Sequence, residues 1–148
     1  MKKKPLPPTY FTICLLLSIG LHFLLPIIQL IHVPYRYIGV LFIAVGGWLH
    51  IWAHNLFKKR KTTVKPFQES SALIIEGPFR FSRNPMYLGI ASILLGAAVL
   101  CGSLTAFIPL VAYFIAMTVL FIPHEEKAME ETFGEEYLHY KRRTRRWL

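Results

Sequence analysis

Residues 84–123, NPMYLGIASILLGAAVLCGSLTAFIPLVAYFIAMTVLFIP, run for 40 positions without a Lys, Arg, Asp or Glu. At 1.5 Å of rise per residue a single helix of that length would be about 60 Å long, twice the hydrocarbon thickness of a bilayer. The run therefore reads as two crossings, turning at Cys101-Gly102-Ser103, a small and turn-permissive step. Two more uncharged runs lie upstream, 5–35 and 37–57. Each reaches the roughly 20 residues that a membrane helix needs. The expected fold is all-α and integral to a membrane, a single domain over 1–148. Four transmembrane helices are predicted over about 10–33, 37–57, 86–101 and 104–122, the last two a tight hairpin, followed by a cytoplasmic amphipathic helix over about 124–145.

Composition agrees with that reading. Of 148 residues, 54% are hydrophobic and 17% charged, with a mean hydropathy of +0.43; soluble domains carry about 25% charged residues. The net charge of +9 comes from 17 Lys and Arg against eight acids, every one of them Glu. With four crossings, every Lys and Arg except Arg36 falls on the side of the two termini, which the positive-inside rule places in the cytoplasm of a bacterial inner membrane or an endomembrane. All the glutamates fall there too, so the chemistry is expected on that face. Topology and anionic lipid headgroups account for the basic excess, and no nucleic-acid partner is expected. Cys14 and Cys101 lie inside apolar runs, which argues against a disulfide framework or a zinc site. Met1-Lys2-Lys3-Lys4 and its apolar run resemble a signal peptide, but the run is too long and no small-residue cleavage site closes it, so it is expected to stay as the first helix. A chain this small is also a candidate for homodimerisation.

Between the second and third helices, Lys58-Lys59-Arg60-Lys61 reads as a headgroup anchor, residues 66–71 as a turn, and Leu73-Ile74-Ile75 as a short extended segment. No glycine-rich strand-to-helix loop is present, so neither the Rossmann nor the Walker phosphate cradle is available. Residues 77–89, GPFRFSRNPMYLG, set two prolines and two glycines around the start of the third helix, with Pro85 in its first turn. The orphan amides of that turn and Arg83 make an electropositive spot suited to a carboxylate, although a helix cap with a snorkelling arginine reads equally well. In the tail, Met129, Phe133, Tyr137 and Tyr140 recur at helical spacing, and the plain reading is a surface helix with a lipid-anchoring basic end. Glu125 and Glu126 fit it less well, because carboxylates at a membrane boundary are costly unless paired or functional. Folding the hairpin back brings Arg83 and Glu125 to one membrane face. His50 and His54 have an i, i+4 spacing that suits a metal, but with six histidines and no second cluster no metal is expected, and an interfacial belt with Trp48 and Trp52 is preferred. Gly46-Gly47 and the Ser92/Gly96 pair read as packing faces, Tyr113 and Thr118 as core, lipid or tunnel positions.

Taken in order, Gly77-Pro78-Phe79, the run from Arg83 to Gly89, Glu125-Glu126, Phe133-Gly134, Tyr137 and Tyr140 resemble the isoprenylcysteine carboxyl methyltransferase family and its relatives among membrane phospholipid methyltransferases, over roughly residues 60–148. The resemblance implies an S-adenosylmethionine-dependent methyltransferase acting on a lipophilic or prenylated substrate from the bilayer, with carboxyl O-methylation of an isoprenylcysteine-like acid ahead of N-methylation of a phospholipid or amine. It implies cofactor contacts from Ser71, Ala72, Leu73, Ile74, Phe79, Asn84, Pro85, Met86, Tyr87, Glu125 and Glu126. Arg83 and Glu125 would be the catalytic pair, with Arg83 nearest the methyl acceptor. Asn84 stands where the family often has His, and Phe121 where eukaryotic members have a substrate-linked Arg. A membrane NADPH reductase and a non-catalytic lipid-binding protein are the competing readings.

Overall fold

A computed structural model of the chain, describing residues 6–60 and 72–148, has helices as its regular structure and no strand among the described residues. The long helices are α1 (Pro7–Leu24), α2 (Ile38–Lys59), α3 (Pro85–Cys101), α4 (Ile108–Ala116) and α5 (Ile122–Arg143). α1, α2 and the helical run Leu104–Phe133 are long and apolar enough to cross a membrane, and α3 is a shorter apolar helix of 17 residues. Leu16, Leu24, Leu41, Ile51, Val111, Ile115 and Val119 are all exposed. So broad an apolar exterior is untenable in water and ordinary in lipid; the protein is a multi-pass integral membrane protein.

Helix one stops nine residues before the predicted boundary. Pro26 lacks the N–H that would extend the ladder. Beyond it the backbone pairs instead with the α3–α4 turn: Leu30 and Ile31 both donate to the Gly102 carbonyl, at 2.8 and 3.0 Å, and Leu104 donates to that of Ile28 at 2.9 Å. Gln29 Nε2 donates to the carbonyls of Ile31 and Cys101, at 3.0 and 3.2 Å. The turn falls where predicted, because Gly102 takes a left-handed φ of 77° that ends α3.

The break expected near Pro123 is absent. A 3₁₀ turn (Leu104–Phe107), α4, a π-helical turn (Met117–Phe121) and the start of α5 follow one another without interruption. The π turn shifts the ladder's register just ahead of Pro123, which accommodates a residue with no N–H to donate. The interruption comes instead at Gly134, whose φ of 51° divides α5. The predicted amphipathic helix is thus two pieces, the first a continuation of the membrane-crossing run.

α2 and α3 pack through facing glycines. A Cβ on Gly39 would lie 2.4 Å from the Gly96 carbonyl oxygen, and one on Gly46 would lie 2.5 Å from that of Gly89. Backbone contact of this kind needs small residues on both helices. Gly47 faces open space, and Ser92 joins the helices by donating to the Phe42 carbonyl at 2.9 Å. Gly46→Ala should therefore lower stability by about 1–3 kcal/mol through overpacking. Gly47→Ala should be neutral or slightly stabilising, since a helical glycine is about 0.5–1 kcal/mol worse than alanine. Equal melting temperatures for the two variants in detergent would refute this packing.

The core lies between α1, α3 and the α4–α5 run, where Cys14, Leu94, Tyr113, Met117 and Ile122 are buried together. The Tyr113 hydroxyl has no hydrogen-bond partner among the described residues. The start of α1, the last turns of α2, the start of α3 and α5 all meet at one end, and the site is built there.

Candidate active site at the shared helix end

α3 begins on an Asn84 cap and Pro85, and its first intrahelical bond runs from Leu88 N–H to the Asn84 carbonyl at 3.0 Å. The amides of Met86 and Tyr87 thus point out of the helix end toward any anion placed there. Preceding residues lead into this turn by docking on the chain's last segment. Arg83 N–H donates to the Arg145 carbonyl at 2.9 Å, and Asn84 Nδ2 and Ser82 Oγ donate to that of Arg146, at 3.0 and 3.3 Å. Residues 144–147 form a strap across the start of α3. Trp147 fixes its far end, stacking on Phe114 with ring centroids 4.0 Å apart and donating to Thr118 Oγ1 at 3.2 Å.

The two glutamates divide the work in a way that the topology did not predict. Arg83 pairs with Glu126 rather than Glu125: its Nε and Nη2 donate to Glu126 Oε1 at 3.2 and 2.9 Å. Its Nη1 donates to the carbonyls of Lys141, at 3.0 Å, and of Thr144. Arg146 holds the same carboxylate through Nε to Oε1 at 3.1 Å and Nη2 to Oε2 at 2.7 Å. Glu125 accepts from the Tyr87 hydroxyl at 2.6 Å and has no Lys or Arg partner among the described residues. Burial raises the phenols of Tyr137 and Tyr140 above the ordinary tyrosine range, so both stay neutral donors. Tyr140 uses its O–H on the Phe79 carbonyl at 2.7 Å.

These groups surround a cavity of about 410 Å³, within the roughly 300–1,000 Å³ of small-molecule sites. Ala72, Leu73, Ile74, Phe79, Arg83, Asn84, Pro85, Met86, Tyr87, Glu125 and Glu126 all line it; Ser71 lies outside the described residues. Residues 73–75 are irregular rather than a strand, with Ile74 buried against Ala53 and Phe79. Sequence reasoning missed the contributions of the α1 start (Leu6, Pro7, Pro8), of His50 and Phe57 on α2, and of Ala128, Tyr137 and Tyr140 on α5. Tyr137 and Tyr140 carried a signal in their place on the apolar stripe, and His50 in its i, i+4 spacing with His54, which read as an interfacial belt. His50 and His54 stack with ring centroids 6.5 Å apart, and His50 Nδ1 lies 3.2 Å from the Met86 carbonyl oxygen. No cluster of three metal-ligating side chains occurs among the described residues.

Residues 35–136 match the sequence profile of the phospholipid methyltransferase family. A Haemophilus influenzae protein described as an uncharacterized protein is 35% identical over 63 residues, which is all of that protein and 43% of this chain. No solved structure matches the chain.

Proposed function

Because the chain belongs to the phospholipid methyltransferase family of membrane methyltransferases, we propose that its cavity binds S-adenosylmethionine and serves methyl transfer to a lipophilic acceptor arriving from the bilayer. One observation carries this reading: a single cavity gathers a carboxylate with no cation partner, several aromatic rings and an open helix N-terminus. The residues suit the cofactor. Glu125 is placed for its ammonium or sulfonium, the faces of Tyr87 and Phe79 for a cation or the adenine, and the Met86 and Tyr87 amides for its carboxylate. The cofactor supplies an electrophilic methyl on a positively charged sulfur. The protein's part is alignment and exclusion of water, the two effects that matter most in an in-line displacement. Both termini are assigned to the cytoplasmic face from the distribution of Lys and Arg.

The acceptor is assigned as the amine of a membrane lipid. An anionic acceptor needs an uncommitted cation, and Arg83, the sole Lys or Arg among the described residues lining the cavity, is already joined to Glu126 and to two backbone carbonyls. The second reading, carboxyl O-methylation of an isoprenylcysteine-like acid, rests on the resemblance of residues 77–89 and requires Arg83 to exchange Glu126 for substrate. Purified protein in lipid, given methyl-labelled S-adenosylmethionine with phosphatidylethanolamine and a prenylcysteine acid together, should place a base-stable label on the amine. A base-labile label on the acid alone would establish the ester reading instead.

A further inference from the structure

We infer that His50 is the proton acceptor of this site, an inference that rests on the methyltransferase reading above. Its ring lines the cavity from α2, held close to α3 because Gly89 has no side chain: a Cβ there would sit 2.9 Å from His50 N and 3.1 Å from its Cβ. The Met86 carbonyl can only accept a hydrogen bond, so the His50 Nδ1 that lies 3.2 Å from it carries the proton. In the neutral ring that leaves Nε2 as a lone pair. Such a group has no use in methylating a carboxylate, which is ionised already, but a lipid ammonium must lose a proton before its nitrogen can react. The acceptor nitrogen gives that proton to Nε2 and uses the freed pair to bond the methyl carbon, while the carbon–sulfur pair leaves with sulfur. The product is a methylated ammonium and a neutral thioether, and the imidazolium returns its proton to water.

The other titratable groups facing this cavity are poorer candidates. Arg83 and Glu126 are bound to each other, Tyr140 is bound to a carbonyl, Tyr137 is a neutral phenol, and Glu125, with one oxygen taken by Tyr87, is assigned above to the cation of the cofactor. His124, on α5, is exposed. His54, one turn along α2, is absent from the cavity wall.

The test compares the wild type with His50→Gln, His54→Gln and His124→Gln, using phosphatidylethanolamine as acceptor, at pH 7 and at about pH 10, where a primary amine loses its proton unaided. His50→Gln should lower kcat about 100-fold or more at pH 7, the usual contribution of a positioned base. At the higher pH most of that loss should disappear, while S-adenosylhomocysteine binding stays at the wild-type level and His54→Gln keeps its rate. Histidine NMR of the cofactor-free protein should show one Nδ1–H tautomer, missing from His50→Gln. A loss equal at both pH values, a loss confined to His124→Gln, or an Nε2–H tautomer at His50 would overturn the assignment. Ester formation without amine methylation would overturn it while leaving the methyltransferase reading intact. Failure of the wild type to bind S-adenosylhomocysteine would strike at that reading itself, and this inference would go with it.

Discussion

Glu126→Gln should reduce methyl transfer by at least about 100-fold, the penalty that a displacement near 1 Å can impose on a positioned site. Glu126 is 6% exposed and joins two guanidiniums that come from opposite sides, Arg83 ahead of α3 and Arg146 in the strap. Neutralising the carboxylate leaves Arg83, whose side chain is 11% exposed, as a buried cation held by backbone carbonyls alone. Breaking one side of a buried pair costs about 3–5 kcal/mol, chiefly through the charge left behind. The Arg146 share is smaller, because that side chain is 38% exposed and screened by solvent. Loss of the pair also frees the strap, and with it the Arg146 carbonyl that holds Asn84 and Ser82 at the start of α3. Turnover and melting temperature should therefore fall together, and Arg146→Gln should reproduce part of both effects. The double variant should lose less than the sum, since the two residues share one carboxylate. Wild-type turnover in Glu126→Gln would show that the strap has no bearing on the site.

The membrane crossings were legible because they follow from composition alone: an uncharged run long enough to span has few other fates. The end of α1 was not legible. Pro26 is a weak signal by itself, and what draws 28–31 out of a helix is a set of hydrogen bonds to 102–104, some seventy positions away. The site divides along the same line. Glu125 and Glu126 stood out because unpaired carboxylates are expensive at a membrane boundary, and both do line the cavity. Which of them meets Arg83 depends on helical phase, since neighbouring residues point about 100° apart and a π turn rotates everything beyond it by a similar amount. That turn, at Met117–Phe121, has no sequence signature in a run of apolar residues. The tail shows the limit most plainly. Its arginines read as lipid anchors, yet Arg146 faces a glutamate twenty residues upstream, and its carbonyl serves Asn84 from sixty-two positions away. Basic residues look alike in sequence whether they meet headgroups or a buried carboxylate, and the partner decides.

Glu125→Ala should weaken binding of S-adenosylmethionine by about 10- to 150-fold, the equivalent of losing a charge-assisted contact worth about 1.5–3 kcal/mol. Glu125 lines the cavity with one oxygen committed to Tyr87 at 2.6 Å, which leaves its second oxygen and its charge for a ligand. Tyr87→Phe removes only the orienting hydrogen bond, so its effect should be smaller and in the same direction. Comparing two ligands locates the contact. S-adenosylhomocysteine keeps the ammonium and lacks the sulfonium charge; equal losses of the two ligands in Glu125→Ala would put the carboxylate on the ammonium, and a loss confined to S-adenosylmethionine would put it beside the sulfur. In the second case the carboxylate would stabilise the charged ground state more than the transition state, where that charge is already falling. The alanine variant would then bind its cofactor poorly and yet turn over faster at saturation. Calorimetry with both ligands, followed by kcat at saturating S-adenosylmethionine, separates the two placements, and unchanged affinity for both ligands would remove Glu125 from the cofactor site.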